Sequence, residues 1–214
     1  MTTHLIPMVL VAVMLAFFTG TGGCDRKAGE IQAIDQQLDN CLDADDGAGA
    51  VRYLSQDSVA RLDRLVSVAR TAKQPEVRAL PISDRLDVLQ IRLLLGRDLL
   101  KPIDGRAYYI KLINMGWMGS TSTHERVKTR VASDGKSATV TYRRPNAANA
   151  SEGHWVFESG TWKTDEVRTA ETSGVALRAL AVSEGVKEDQ ILMLVLKLRT
   201  KQKLTAALWD PPTK

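Results

Sequence analysis

The spacing of apolar residues changes part-way along the chain, and the first half has the period of helices. Apolar residues recur there every three or four positions, which places them on one face of an α-helix. Helices are therefore predicted over residues 29–45, and from Ser55, from Ser83 or Asp84, and from Asp104 onwards. Ser and Asp suit these starts because their side-chain oxygens accept hydrogen bonds from exposed backbone N–H groups. Pro75 and Pro81 predict a loop between the second and third helices.

The second half alternates apolar and polar residues with a period of two, which is typical of half-buried strands. The alternation covers residues 127–131 and 138–142, on either side of Asp134-Gly135. Two such runs joined by Asp-Gly predict a β-hairpin, because both residues tolerate the positive φ angles of a tight turn. A second hairpin is predicted over residues 154–165, around Ser159-Gly160.

Helical spacing returns over residues 175–183 and 188–200, and Trp209 is predicted to dock near the end of the chain. Helices, then an antiparallel sheet, then helices is the order of an α+β domain. We therefore predict N-terminal helices packed on a curved antiparallel sheet of about four strands, followed by C-terminal helices. A single domain is expected over residues 31–212, since a chain of this length can bury a sizeable core.

The first 24 residues have the features of a bacterial export signal. Apolar residues fill positions 5–18, a run shorter than the ~20 residues that cross a bilayer but suited to a signal peptide. Small residues lead directly to Cys24, and this pattern resembles the lipobox of bacterial lipoproteins. The resemblance implies a signal peptide over residues 1–23, acylation of Cys24 as the first mature residue, and a lipid-anchor tether over residues 24–30. An ordinary signal cut after Gly23 and a retained membrane anchor are the alternatives.

The interpretation as an exported chain sets the expected location and partners. Asp25 after Cys24 resembles the inner-membrane retention signal of enteric bacteria, which implies a lipid anchor on the periplasmic face; secretion into the periplasm is the alternative. The formal net charge of +4 lies wholly after residue 23. This mild excess suits an anionic bilayer and does not require nucleic acid, which we do not expect as a partner. With Cys24 acylated, Cys41 would be alone, and its place on an apolar helical stripe predicts a buried, unreactive thiol.

The residue types of common catalytic and metal sites do not form a recognisable motif here. Only His124 and His154 would remain after cleavage, and no cysteine accompanies them as a thiolate metal site would require. Gly135-Lys136-Ser137 matches the end of a phosphate-binding loop, but it joins two predicted strands, whereas such loops lead into a helix. The sequence therefore predicts no catalytic residue, no metal site and no cofactor.

The two hairpins resemble the sheet of nuclear transport factor 2-like domains. The resemblance is carried by the segments DGKSATVTY and HWVFESGTWKTDEV. Residues 104–119 and 185–211 are also similar to a group of exported bacterial proteins of this type. The resemblance implies a cone-shaped α+β domain whose curved sheet and helices often enclose a pocket. The residues expected at such a pocket are Tyr142, His154, Trp155, Phe157 and Trp162.

Three functions remain open from the sequence. The absence of paired catalytic groups favours a non-enzymatic, membrane-anchored lipoprotein that binds a partner protein or a small apolar ligand. The alternatives are an inhibitor or immunity-type protein acting by surface contact, and an isomerase- or dehydratase-like enzyme using the cone pocket. A cavity with a buried carboxylate facing a tyrosine hydroxyl would favour the enzyme, and a closed interior packed by Trp155, Phe157 and Trp162 would exclude it. Trp117 either anchors a ligand or plugs the join between helices and sheet, and the oligomeric state is left open.

Overall fold

The computed structural model describes residues 22–118, 124–143 and 150–213, and over these residues it confirms the predicted α+β fold. The N-terminal helices are α1 (Gly22–Asp43), α2 (Gly47–Ala50), α3 (Gln56–Thr71), α4 (Gln74–Arg78), α5 (Ile82–Leu95) and α6 (Gly105–Asn114). The strands are β1 (Glu125–Val131), β2 (Ser137–Arg143), β3 (Ala150–Glu158) and β4 (Thr161–Thr164). The C-terminal helices are α7 (Glu166–Ser183) and α8 (Glu188–Thr200), followed by a 3₁₀ turn at Ala206–Trp209.

Two predicted helix starts are confirmed by their caps. The Ser55 side chain accepts a hydrogen bond from Ser58 N, and the Asp104 side chain accepts one from Ala107 N. Each cap satisfies a backbone N–H that has no partner within its own helix. α3 and α6 therefore begin where the sequence placed them.

Several boundaries differ from the sequence prediction, and α1 and β3 already begin at Gly22 and Ala150. α5 begins at Ile82, after Pro81, and the predicted loop before it contains α4 with Pro75 in its first turn. A proline is tolerated there because the first turn of a helix has no partner for its N–H. α7 begins at Glu166, well before residue 175, with Asp165 as its N-cap. Apolar spacing missed this first half because the buried position in it is Gly174, which has no side chain to mark the core face.

The sheet has the order β1-β2-β3-β4, and all three pairings are antiparallel. The β3–β4 turn has positive φ at both Ser159 and Gly160, as the predicted tight hairpin requires. β1 carries a register shift between Arg126 and Lys128, which pairs Arg126 with Tyr142. Val127 is left exposed as a result, although simple alternation predicts that it shares a face with Val131.

A single core joins the helices to the sheet. α3 packs against α5 and α6, and α1 contacts β1 and β4. Fully buried side chains from both layers belong to a single cluster, among them Ile31, Leu65, Leu89, Ile113, Val140 and Trp162. Trp209 is buried, as predicted, and its carbonyl accepts a 2.5 Å hydrogen bond from Arg92 Nη1.

The N-terminal part of α1 includes the position of the proposed lipid anchor. Residues 1–21, which hold most of the predicted signal peptide, lie outside the described residues, and α1 runs without a break from Gly22 through residues 24–30. Lys27 Nζ donates a 3.0 Å hydrogen bond to Gly135 O, so the helix is already in contact with the β1–β2 turn at this point. Each helix within the described residues is too short or too polar to span a membrane.

Candidate ligand-binding cleft

A cleft of about 780 Å³ lies among α3, α5, α6 and α7. Natural sites for small ligands have volumes of about 300–1,000 Å³, so this cleft has the size of a binding site. Apolar side chains from several elements line part of it: Leu62, Leu86, Leu112, Trp117, Met118 and Leu177. Polar side chains line much of the rest, among them Arg61, Asp87, Gln90, Tyr108, Tyr109, His124, Glu166 and Arg199.

Trp117 is placed to serve in both of the roles that the sequence left open, as a ligand anchor and as a plug between the helices and the sheet. Its side chain is partly buried and packs against the hydrophobic core, as a plug would. It also lines the cleft, where its ring could lie against an apolar ligand. The geometry is therefore compatible with a residue that closes the core and offers its remaining surface to the cleft.

Arg61, a basic residue that lines the cleft, is held by an ion-pair network. Arg61 Nη2 lies 2.6 Å from Asp84 Oδ1 and 2.6 Å from Asp87 Oδ2. Arg64 Nη2 lies 2.7 Å from the other oxygen of Asp84. Burial raises the pKa of Asp87, while the adjacent Arg61 opposes that rise. Because Arg61 is committed to two aspartates, its charge only partly offsets another carboxyl group in the cleft.

That other carboxyl group is Glu166, the first residue of α7. Its backbone N donates a 2.8 Å hydrogen bond to Ser58 Oγ, which fixes the start of α7 against α3. Burial raises the pKa of Glu166 to about 7, Arg61 opposes the rise, and the negative charges of Asp87 and Asp165 add to it. The carboxyl is therefore divided between its protonated and ionised forms near neutral pH. It can donate or accept a hydrogen bond with little cost in free energy.

Two tyrosines of α6 bring hydroxyl groups to the cleft; Tyr109 lies near Glu166, and Tyr108 forms a side-chain hydrogen bond with Gln90. Tyr108 and Tyr109 are both buried on α6, and both line the cleft. Burial raises the pKa of each phenol, and the negative charge of Glu166 contributes to the rise at Tyr109. Both hydroxyls therefore stay protonated at physiological pH and remain potential hydrogen-bond donors.

A second, smaller cavity of about 210 Å³ adjoins the cleft. The two share five lining residues: Tyr109, Met118, Ser151, Glu166 and Thr169. Glu166 thus lies at the junction of the two spaces. The smaller cavity is also lined by Asp35, Tyr142, His154 and Trp155.

The smaller cavity contains a buried carboxylate facing a tyrosine hydroxyl, the arrangement that would favour an enzyme. Tyr142 Oη donates a 3.0 Å hydrogen bond to Asp35 Oδ1, and Arg126 Nε donates a 2.7 Å hydrogen bond to Asp35 Oδ2. Asp35 is 3% exposed, and its burial raises its pKa while Arg126 opposes the rise. Both carboxyl oxygens are engaged, and the three residues join α1 to β1 and β2. The cluster therefore has the geometry of a structural link, because each carboxyl oxygen of Asp35 already has a hydrogen-bonding partner within the protein.

The five strand residues expected at a pocket are divided between cavity and core. Tyr142, His154 and Trp155 line the smaller cavity. Trp162 is 1% exposed and makes an edge-to-face contact with Phe157, which is 39% exposed at the sheet margin. Phe157 and Trp162 line neither of the two spaces described above. The interior is therefore not a closed aromatic pack around Trp155, Phe157 and Trp162.

Two further residues differ in their surroundings from what the sequence indicates. His154 is buried and engaged through both ring nitrogens: Nε2 lies 3.0 Å from Thr172 Oγ1, and Nδ1 lies 3.4 Å from Thr139 Oγ1. Its burial and the nearby positive charge of Arg168 lower its pKa, and the acidic residues Glu152, Asp165 and Glu171 oppose that shift. The Cys41 side chain packs against the core but is only half-buried, whereas a buried thiol was predicted.

Sequence reasoning missed the carboxyl groups that define both spaces. Asp35 follows Ile31 by four positions and precedes Leu38 by three, so its place on the apolar stripe of α1 was a usable signal. Glu166 gave no comparable signal, because its position depends on how α7 packs against α3.

Clusters of three or more metal-ligating side chains are absent from the described parts of the chain. No family model matches the chain, and no curated protein or solved structure matches it either.

Proposed function

We propose that the chain is a membrane-anchored lipoprotein of the bacterial cell envelope that binds a small, mainly apolar molecule in the cleft. The feature that carries this proposal is Glu166, a partly buried carboxyl with a pKa of about 7 at the junction of two cavities. The nuclear transport factor 2-like fold, in which a pocket of this kind is common, is part of the same proposal.

The lining of the cleft indicates the chemistry of the ligand. Leu86, Leu112 and Leu177 offer apolar surface on three different helices, which suits an apolar body. Protonated Glu166 and the hydroxyl of Tyr109 would donate hydrogen bonds to a carbonyl, ether or hydroxyl oxygen at one end of that body. An uncharged ligand of this kind binds more tightly when Glu166 is protonated, so affinity should fall as the pH rises through about 7.

Ligand binding can be tested with Nile red, an uncharged apolar dye whose fluorescence rises in apolar surroundings. Nanodiscs that carry the wild-type chain should show saturable dye fluorescence above the signal of empty nanodiscs. Leu177→Phe should weaken this binding because the larger side chain narrows the cleft. Leu180→Phe is the matched control, because Leu180 lies on the same helix, is exposed and is not among the cleft residues. Equal binding by wild type and both variants would place the dye elsewhere and contradict the proposal.

The proposed anchor has a separate test at Cys24. Cys24→Ser should abolish incorporation of labelled palmitate and release the chain from membranes, since no thiol would remain for acylation before residue 25. Cys41→Ser is the control, and it should be labelled and retained as the wild type is. Persistent labelling of the Cys24→Ser variant would contradict the proposed lipobox.

A second candidate function is proton transfer at a ligand bound in the cleft. It is favoured by the same carboxyl, because a group with a pKa near 7 is suited to act as a general acid or base. An isomerase- or dehydratase-like reaction would then use Glu166 with Tyr109 as a hydrogen-bond donor. Exchange of an activated C–H of a bound ketone with deuterated water, lost in Glu166→Gln, would support this candidate. A bound ketone that exchanges at the same rate in both proteins would exclude it.

A further inference from the structure

The surface formed by α7 and the α7–α8 turn combines exposed apolar side chains with basic side chains. Val175 and Val182 are separated by seven residues, which places them on one side of α7, and they are 65% and 81% exposed. Arg178 lies between them at helical spacing. Val186 follows in the turn and is also exposed. We name this surface, made of Val175, Arg178, Val182, Val186 and Lys187, the α7 face.

The α7 face borders a depression of about 540 Å³ with an excess of positive charge. Its lining includes the basic residues Arg78, Arg85, Arg178 and Lys187 and the acidic residues Glu188 and Asp189. Arg85 forms ion pairs with both acidic residues, and Arg78 Nε lies 2.8 Å from Asp189 Oδ2. The carboxylates of Glu188 and Asp189 are thereby paired with Arg78 and Arg85.

The other two cations of the depression, Arg178 and Lys187, are not neutralised in this way. Arg178 Nε donates a 3.3 Å hydrogen bond to Gly174 O, a neutral acceptor. Within the described residues, neither Arg178 nor Lys187 forms an ion pair with a carboxylate. Two positive charges therefore remain beside Val182 and Val186, and the exposed Glu184 between these valines reduces the net charge there to +1.

We propose that the α7 face docks on an anionic phospholipid bilayer. Exposed apolar side chains flanked by cations match the two layers of such a surface, because the apolar groups enter the boundary between headgroups and acyl chains while the cations meet phosphates. Val182 and Val186 would enter that boundary, and Arg178 and Lys187 would bind the headgroup phosphates. Docking would fix the orientation of the domain on its membrane, which an acyl chain alone does not do.

The inference is separate from ligand binding in the cleft and relies on the proposed acyl anchor only to hold the chain at a bilayer. The anchored chain can be reconstituted in nanodiscs of phosphatidylcholine alone or of phosphatidylcholine mixed with phosphatidylglycerol. Retention on both kinds of disc tests the anchor, and amide hydrogen exchange over residues 175–187 tests docking. Failure of the anchor and failure of docking therefore give different results.

We expect exchange over residues 175–187 to be slower on the phosphatidylglycerol discs, by about fivefold for each basic residue that contacts the anionic surface. Neutralising both cations of the α7 face with Arg178→Gln and Lys187→Gln should remove most of this protection. The control pair Lys197→Gln and Lys203→Gln changes the net charge equally at exposed positions outside the α7 face and should retain it. Val182→Ser should also reduce protection, because it removes the most exposed apolar side chain without changing the charge.

Three outcomes would overturn the proposal. Equal exchange on the two kinds of disc would show that anionic lipid is not recognised. Equal loss of protection in the two charge-neutralised pairs would show that only the overall charge matters. Protection that rises with protein concentration in the absence of lipid would assign the α7 face to a second copy of the chain.

Discussion

The two carboxyl groups of the paired cavities differ in how completely their surroundings satisfy them. Asp35 has Tyr142 on one oxygen and Arg126 on the other, and all three side chains are largely removed from solvent. Glu166 has one side-chain hydrogen-bonding partner, Thr164, and Tyr109 and Arg61 lie in its neighbourhood. Arg61 is already paired with Asp84 and Asp87. Similar residue types therefore give a link between α1 and the sheet in one place and an adjustable polar group in a cleft in the other.

The comparison shows why residue type alone does not identify a site. A carboxylate with both oxygens hydrogen-bonded has little left to offer a ligand and mainly stabilises the fold. A carboxyl with a pKa near 7 costs little free energy to protonate or ionise at neutral pH, so a ligand can change its state. Three predictions test this distinction, beginning with the largest expected effect.

Arg126→Met should cause the largest loss of stability. It leaves the Asp35 carboxylate buried with only Tyr142 as a partner, and the unfolding free energy should fall by about 3 kcal/mol. Arg130→Met on the same strand is the control, since Arg130 is exposed and forms no ion pair within the described residues. Urea unfolding of both variants measures the difference. A loss no larger than that of the control would show that Asp35 and Arg126 do not form a stabilising link.

Glu166→Gln should change how stability depends on pH. The pKa of Glu166 is about 7 in the folded chain against an ordinary value of 4.5, so the folded state binds the proton more tightly between these values. Its contribution to the unfolding free energy is therefore present at low pH and is lost as the pH rises from about 4.5 to 7, by about 2 kcal/mol for a partly buried group.

Glu166→Gln has no carboxyl group to titrate at this position, so its unfolding free energy should lack this part of the pH dependence. Unfolding midpoints measured across that pH range would show the difference between wild type and Glu166→Gln. Glu171→Gln, at an exposed position of α7, should keep the wild-type profile. Parallel profiles for wild type and Glu166→Gln would contradict the raised pKa.

Tyr142→Phe should have the smallest of the three effects. It removes one of the two hydrogen-bonding partners of Asp35 but keeps the ion pair with Arg126, so the expected loss is about 1.5 kcal/mol. Tyr53→Phe removes an exposed hydrogen bond to Gln37 and should cost no more than about 0.5 kcal/mol. If the two variants lost equal stability in urea unfolding, the buried hydroxyl of Tyr142 would have no special role.

Local patterns predicted most of the architecture because the responsible interactions lie close together in sequence. The Ser55 and Asp104 caps act over three residues, and the Ser159-Gly160 turn acts over two. The start of α7 was missed because Gly174 carries no side chain, and the β1 register shift was missed because it breaks the alternation at Val127.

The site was only partly predictable, for a different reason. Tyr142, His154 and Trp155 were expected at a pocket beside the sheet, and all three line the smaller cavity. The raised pKa of Glu166 arises from burial and from the negative charges of Asp87 on α5 and of the neighbouring Asp165, while Arg61 on α3 opposes the rise. No local pattern carries that information, since it depends on the packing of three helices.

The most direct test of the account is the titration of the Glu166 carboxyl by carbon-13 NMR in the purified chain, with Glu166→Gln used to assign the signal. We predict a midpoint at about 7 in the free protein, and a further upward shift when an uncharged apolar ligand occupies the cleft. A midpoint near the ordinary glutamate value of 4.5 would show that the cleft does not shift this carboxyl, and it would contradict the proposed role of Glu166.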